Sequence, residues 1–184
     1  TWLGQQLNMA TLEDYWQTGL EGRQQFNYNY NYHDNPYFNM YENTNGLDKN
    51  RFIGNVQMTY NFTPALSLMV RGGTDYFNEL RQLRRAFSTQ RFPRGQYRED
   101  KVNFRETNID FLMSYNNNLT EDLYLSFSVG GNRMEQRNHF NAVANNQLVI
   151  PEVYTFSNTD IPLVQFLDRP NKQINSLYAF GQLG

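Results

Sequence analysis

Two adjacent carboxylate pairs, Glu99-Asp100 and Glu121-Asp122, are the first candidates for acid–base chemistry. A glycosidase needs two carboxylates set across a cleft. These pairs sit at strand ends and read as solvated charges. The two histidines, His33 and His139, fall in different loops without metal-ligand spacing. Zero cysteines exclude a disulfide framework, thiolate chemistry and a cysteine-ligated metal. Gly72-Gly73 and Gly130-Gly131 lack the strand–loop–helix context of a phosphate cradle and read as strand bends or packing points. No catalytic residue, metal site or cofactor is expected, and the chain is not expected to be an enzyme.

Binding chemistry is better represented. Arg81, Arg84, Arg85, Arg91, Arg94 and Arg98 form the densest charge feature. One reading is an external loop that faces anionic lipopolysaccharide or pairs with Glu99 and Asp100. The other is steering of an acidic substrate or partner, with Arg85 and Arg91 as its test positions. Trp16, Tyr37, Phe38, Tyr41, Tyr97, Tyr154 and Phe156 lie in segments read as loops. Such rings either stack on a ligand, where they bury area at low entropic cost, or pack the loops together. A net charge of −2 leaves no general footprint for nucleic acid.

Strands must position these residues. The 184 residues include 25 Asn and 14 Gln beside 14 Phe and 13 Tyr, a polar chain rich in rings that disfavours a helical bundle. From Arg51 to Phe62 the even positions are Phe52, Gly54, Val56, Met58, Tyr60 and Phe62, and the odd ones are polar except Ile53. Period two means one apolar and one polar face. Thr63-Pro64-Ala65 predicts a tight turn. Leu66, Leu68 and Val70 then alternate with Ser67, Arg71 and Asp75; Gly72-Gly73 within this run suggests a bend or a close backbone approach. Thr107, Ile109, Phe111, Met113 and Tyr115 alternate with Asn108, Asp110, Ser114 and Asn116, with Leu112 as the exception. After a turn over 117–122, Leu123, Leu125, Phe127 and Val129 alternate with Tyr124, Ser126 and Ser128. Val102 and Phe104 have the opposite parity to Ile109, which a bulge near Arg105 or Glu106 would reconcile. A fifth run, 173–184, has ambiguous parity.

The expected organisation is a loop region over 1–50 and a partial barrel of about five strands over 51–184. In the first part Thr11-Leu12-Glu13-Asp14 resembles a capping box, predicting a short helix that carries Tyr15 and Trp16 and ends at Gly19. Phe26 to Tyr32 alternates ring and amide, and 33–50 reads as loop. Short turns at 63–65 and 117–122 lie at one end, and long loops near 79–99 and 137–172 at the other. That asymmetry describes an outer-membrane barrel. Tyr60, Phe62, Tyr76, Phe77, Tyr115 and Tyr124 fit an interfacial girdle. Asn55, Gln57, Arg71, Asp75, Asn108 and Asp110 would face the lumen. The alternatives are a soluble carbohydrate-binding β-sandwich and a surface hydrolase using Asp110 and Glu121. No run of about 18 apolar residues predicts a transmembrane helix, and Thr1-Trp2-Leu3-Gly4 shows no signal peptide. Five strands do not close a membrane barrel, which starts at about eight, so the chain reads as a piece of something longer.

Several segments resemble the SusC/RagA family of TonB-dependent outer-membrane transporters. They are Asn35-Pro36-Tyr37-Phe38, Tyr41-Glu42-Asn43, the stretch from Asp48 to Asn55, Met58 to Leu66, Val70 to Phe77, Asn108 to Tyr115 and Ser176 to Leu183. The resemblance covers most of 35–135 and the last ten residues, weakens across 137–172, and rests on the order and spacing of these segments. It implies an all-β fold, an antiparallel transmembrane β-barrel segment from a barrel of about 22 strands, with long extracellular loops and a short loop helix. It also implies a plug domain, a SusD-like lipoprotein lid contacted by the loop rings, import of oligosaccharides or peptides driven by the TonB complex, and a place in the bacterial outer membrane among lipid and lipopolysaccharide. The plug and the TonB-contacting segment are not in these residues. The resemblance does not name the substrate.

Overall fold

The computed structural model describes residues 7–27, 29–121 and 123–184. The expectation for residues 1–4, Tyr28 of the ring-and-amide run and Asp122 of the second carboxylate pair lie outside these. The fold is all-β, an antiparallel sheet built from β1 (Asn45–Asn61), β2 (Leu66–Thr89), β3 (Phe92–Thr120), β4 (Leu123–Asn145), β5 (Val164–Asp168) and β6 (Asn171–Leu183). The strand order is β1-β2-β3-β4-β5, with β6 also on β4, so the sheet is an open barrel segment.

The chain divides into two compact units. One comprises 1–48, 79–101 and 140–167, here the polar-core unit; the other comprises 49–78, 102–139 and 168–184, here the sheet unit.

In the sheet unit the Thr63-Pro64-Ala65 turn forms as expected. Thr63 Oγ1 accepts from Ala65 N at 3.2 Å and Leu66 N at 3.0 Å. No bulge is needed in β3. Phe104 stacks on Phe77 at 5.0 Å between centroids. It keeps the parity of Asn108 and Asp110 through an unbroken strand, so an apolar ring simply sits on the polar face. Phe77 and Tyr124 share that face and leave the expected girdle; the Tyr124 hydroxyl donates to Asn116 at 3.3 Å. The parity of the last run is settled by its register on β4, which pairs Leu125 with Leu183, Phe127 with Gly181, Val129 with Ala179 and Gly131 with Leu177. β5 and β6 are separated at Arg169-Pro170 because proline brings no N–H to the ladder; its carbonyl still accepts from Asn138 N at 3.1 Å.

The glycine pairs differ from each other. A Cβ on Gly130 would fall 2.5 Å from the Tyr178 ring, and one on Gly131 2.7 Å from the Phe111 ring, so these are packing points under rings. A Cβ on Gly72 would meet nothing within 4 Å, so this is an open position and not a close approach.

In the polar-core unit three expectations are corrected. First, 79–99 is not a long loop: β2 and β3 run through it and meet in a tight turn at Gln90-Arg91. Strands here need no apolar/polar alternation, because ion pairs, amide contacts and a ring contact hold their long polar side chains. Second, no helix runs from Thr11 to Gly19. A single 3-10 turn, Met9–Leu12, is capped by Asn8, whose side chain accepts from Ala10 N at 3.1 Å, and Trp16 instead bridges to Gln25. Third, the helix lies inside the segment read as loop, at α1 (Pro36–Tyr41). Asn35 caps it and Pro36 takes the first turn, the favoured start arrangement. Residues 146–163, within the expected 137–172 loop, contain no strand; 137–145 and 164–168 do.

Candidate functional site

The sheet unit gathers polar side chains on one face. Asn55, Gln57, Arg71, Asn108 and Asp110 line a shallow concavity of about 410 Å³ with Gly73 and Asn132. The alternation of β1, β2, β3 and β4 brings them there, since each strand sends every second side chain to this side. Arg71 Nε donates to Asp110 Oδ2 at 2.8 Å, and Asn132 donates to the other oxygen. Asp75 takes no part in the concavity. It holds Arg51 through two contacts, Nε–Oδ1 at 3.0 Å and Nη2–Oδ2 at 2.6 Å. Asn108 donates to Glu106 at 2.9 Å. Asn132 is the member that sequence reasoning missed; it follows Gly130-Gly131 at the end of the clear alternation, and its even number carries the signal.

The opposite face is apolar and uncovered. Val56 and Met58 are 71% and 74% exposed, and Phe111 and Phe127 are 40% and 47% exposed. No second layer of described residues lies over them.

In the polar-core unit the predicted contact residues separate into two groups. Phe38 is fully buried and Tyr97 nearly so, both against neighbouring rings. Phe38 packs edge-on against Trp16 at 5.2 Å, and Tyr97 lies 5.1 Å from Phe156. These rings supply core area that aliphatic side chains do not, since Leu47, Ile150, Val164 and Leu167 of the same unit are exposed. Tyr41 is exposed and stacks on Tyr15 at 6.0 Å; Trp16 and Tyr37 are half-buried.

The arginine cluster is largely neutralised. Arg81 pairs with Glu79, Arg94 with Asp160 at 2.9 Å, and Arg98 with Asp100 at 2.6 Å. Arg85 donates to Asn45 Oδ1 at 3.0 Å, and Arg84 lies over the Tyr154 ring at 5.6 Å. Arg91 stands at the exposed β2–β3 turn beside Phe92. The clearest electrostatic effects are on phenols. Burial, then the hydrogen bond to Glu99, pushes Tyr97 up to about 12. Burial, then the bond to Glu42, does the same for Tyr15. Burial and the nearby Glu42 and Glu152 charges raise Tyr154 to about 12. Phenols held this firmly protonated donate hydrogen bonds and do not act as bases.

Among the described residues no group of three or more His, Asp or Glu is placed to hold a metal ion. No protein-family description matches the chain, and no curated protein does. Solved structures do match in fold. The RagAB peptide transporter aligns with TM-score 0.62 at 15% identity over 82% of this chain and 17% of that one. The RagAB peptide importer aligns in its closed-closed state with TM-score 0.61 at 15% identity, and in its open-open state with 0.60 at 14%, over the same shares of each chain. The chain therefore spans about 17% of the length of the transporter chains it matches.

Proposed function

We propose that this chain is a barrel segment of a SusC/RagA-type TonB-dependent transporter in the bacterial outer membrane, importing oligosaccharides or peptides beneath a SusD-like lipoprotein lid. The observation that carries the reading is the two-sided sheet unit. Its uncovered face bears Val56, Met58, Phe111 and Phe127, while its other face bears the Arg71–Asp110–Asn132 network. An apolar outside and a hydrated inside are what a membrane barrel needs. The outward row from Leu123 to Gly131 has the length of a tilted membrane strand, about nine to eleven residues. The fold likeness to a peptide transporter supports the transport class.

An open sheet cannot stand in lipid, because its free edges would leave N–H and C=O groups unpaired at several kcal/mol each. The rest of the barrel, a plug and the contact to the TonB complex are assigned to parts outside this segment. A soluble sandwich would need a second layer over the apolar face. A hydrolase would need Asp110 free to react, whereas two donors hold it. The segment has no catalytic role in this reading.

The test uses the full-length protein. Membrane fractions should release it into detergent and not into salt, and cells carrying it should take up labelled peptide or oligosaccharide until an uncoupler collapses the proton gradient. Release by salt alone, or uptake that persists with the uncoupler, overturns the reading.

A further inference from the structure

The chain holds 25 asparagines, and only Asn45 is followed by glycine. Asparagine amides are among the thermolabile groups of a protein. Their loss begins when the backbone nitrogen of the next residue reaches the side-chain carbonyl carbon. A side chain on that next residue crowds the approach and narrows its backbone, and glycine does neither.

The surroundings of Asn45-Gly46 favour that chemistry. Both residues are exposed, and Asn45 is the first residue of β1, where the ladder holds least because element ends open locally at low cost. The chain just before it is pinned. Arg84 N donates to Thr44 O at 2.9 Å, and Ala86 N and Thr89 Oγ1 donate to Asn43 Oδ1 at 2.9 and 3.0 Å. Arg85 Nη1 donates to Asn45 Oδ1 at 3.0 Å. The same nitrogen reaches Arg84 O at 2.8 Å and Thr44 O at 3.5 Å, so this guanidinium is set against neutral oxygens. All these residues belong to the polar-core unit, and the site is independent of the membrane reading.

We propose that Asn45-Gly46 is a self-modification site, in which Arg85 promotes conversion of Asn45 to an acidic residue. The Gly46 nitrogen gives its proton to water or hydroxide and bonds to Asn45 Cγ. Negative charge develops on Oδ1, which already accepts the Arg85 N–H. The Cγ–Nδ2 bond breaks, and the amide takes a proton from water and leaves as ammonia, closing a succinimide. Water then opens the ring at either carbonyl and leaves an aspartate or isoaspartate carboxylate. Arg85 thereby exchanges a neutral acceptor for a charged one, the stronger bond.

The experiment incubates the folded full-length protein in detergent, in mildly alkaline buffer made with heavy-oxygen water, and locates labelled carboxylates by peptide mass spectrometry. Asn118, also exposed but followed by Leu119, is the internal reference. Label should enter at position 45 about tenfold faster than at 118, or about 1.4 kcal/mol of barrier. Gly46→Ala, whose Cβ meets only ordinary contacts with Gln82, should remove that advantage and leave Asn118 unchanged. Arg85→Gln should slow Asn45 about tenfold in the folded chain, less than a buried oxyanion donor is worth, and should have no effect in denaturant. Conversion at Asn45 no faster than at Asn118, or an unchanged rate in Gly46→Ala, overturns the site. A folded-state rate that is unchanged or raised in Arg85→Gln, or an equal slowing in denaturant, overturns the role of Arg85 and the proposal with it.

Discussion

The two units solve the problem of stability in opposite ways. Every fully buried apolar side chain among the described residues, from Leu12 and Phe38 to Leu148, belongs to the polar-core unit. The sheet unit buries none; Val56, Met58, Phe111, Phe127 and their row point outward, and its polar residues gather on the inner row beside a few rings such as Phe77 and Phe104. The polar-core unit is cross-linked by asparagines instead of aliphatic packing. Asn35, fully buried, donates to Leu12 O at 2.9 Å and Phe26 O at 2.8 Å while accepting from Tyr37 N at 2.9 Å. Asn145 donates to Thr155 O and Asn158 O. Asn158 in turn ties Ile150 and Val153. A side-chain amide presents the same donor and acceptor as a peptide group, so irregular backbone can be buried with its polar groups satisfied. The difference teaches that one unit leaves its apolar face uncovered and the other carries its own interior.

Charge on the outward row should have the largest effect. Phe127→Arg is expected to cost about 2–4 kcal/mol of membrane-embedded stability, whereas Ser128→Arg, one residue along and on the inner row, should cost far less. The check is the folded fraction in bilayers, read by heat-modifiable gel mobility. Equal penalties at 127 and 128 would break the distinction between faces.

Asn35→Ala comes next. It leaves two carbonyls and the α1 cap without their partner, at about 1–3 kcal/mol for an unsatisfied buried group and a similar amount for the cap. Hydrogen exchange should accelerate at Tyr37 and its neighbours, with the sheet-unit amides unchanged. Spread of the effect into β1–β4 of the sheet unit would show that the units are not separately stabilised.

Much of the sheet unit was legible in the sequence because each strand sends its apolar side chains mainly to one face, so alternation survives from Arg51 to Phe62 and from Thr107 to Val129 with Ile53 and Leu112 as exceptions. The polar-core unit hid its strands. Residues such as Arg81, Gln82, Arg84 and Arg85 pair locally with carboxylates, amides and rings, which erases the apolar row that period two relies on. The α1 start was written in Asn35-Pro36, yet a six-residue helix leaves no amphipathic repeat to find. Of the concavity, Asn55, Gln57, Arg71, Asn108 and Asp110 were readable from parity; ring content alone did not separate the buried Phe38 and Tyr97 from an exposed ring such as Tyr41.

Gly95→Ala should cost about 1–2 kcal/mol for the left-handed backbone alone, since Gly95 has φ of 70°. A Cβ there would also fall 2.7 Å from Arg85 O and 2.9 Å from Leu148 Cδ1. Limited proteolysis near the β2–β3 turn is the readout.

The smallest effect is a titration. Tyr97 has its phenol raised from 10.0 to about 12, so the folded chain holds that proton more tightly than the unfolded one. The stability it contributes is full below about pH 10 and is lost as pH rises toward 12. Tyrosinate absorbance should show a late-titrating phenol that disappears in Tyr97→Phe; an unchanged late component across Tyr97→Phe would assign it to Tyr15 or Tyr154.

The most direct measurement is a spin-label scan in the full-length protein reconstituted into bilayers. Nitroxides are placed one at a time at Val56, Met58, Phe111 and Phe127, and at Gln57, Asn108 and Ser128. The first set should be relaxed by oxygen and protected from a water-soluble nickel complex, and the second set should not share that profile. Outward labels that are shielded from oxygen, or the same profile in both sets, would contradict a lipid-facing surface and the transporter reading built on it.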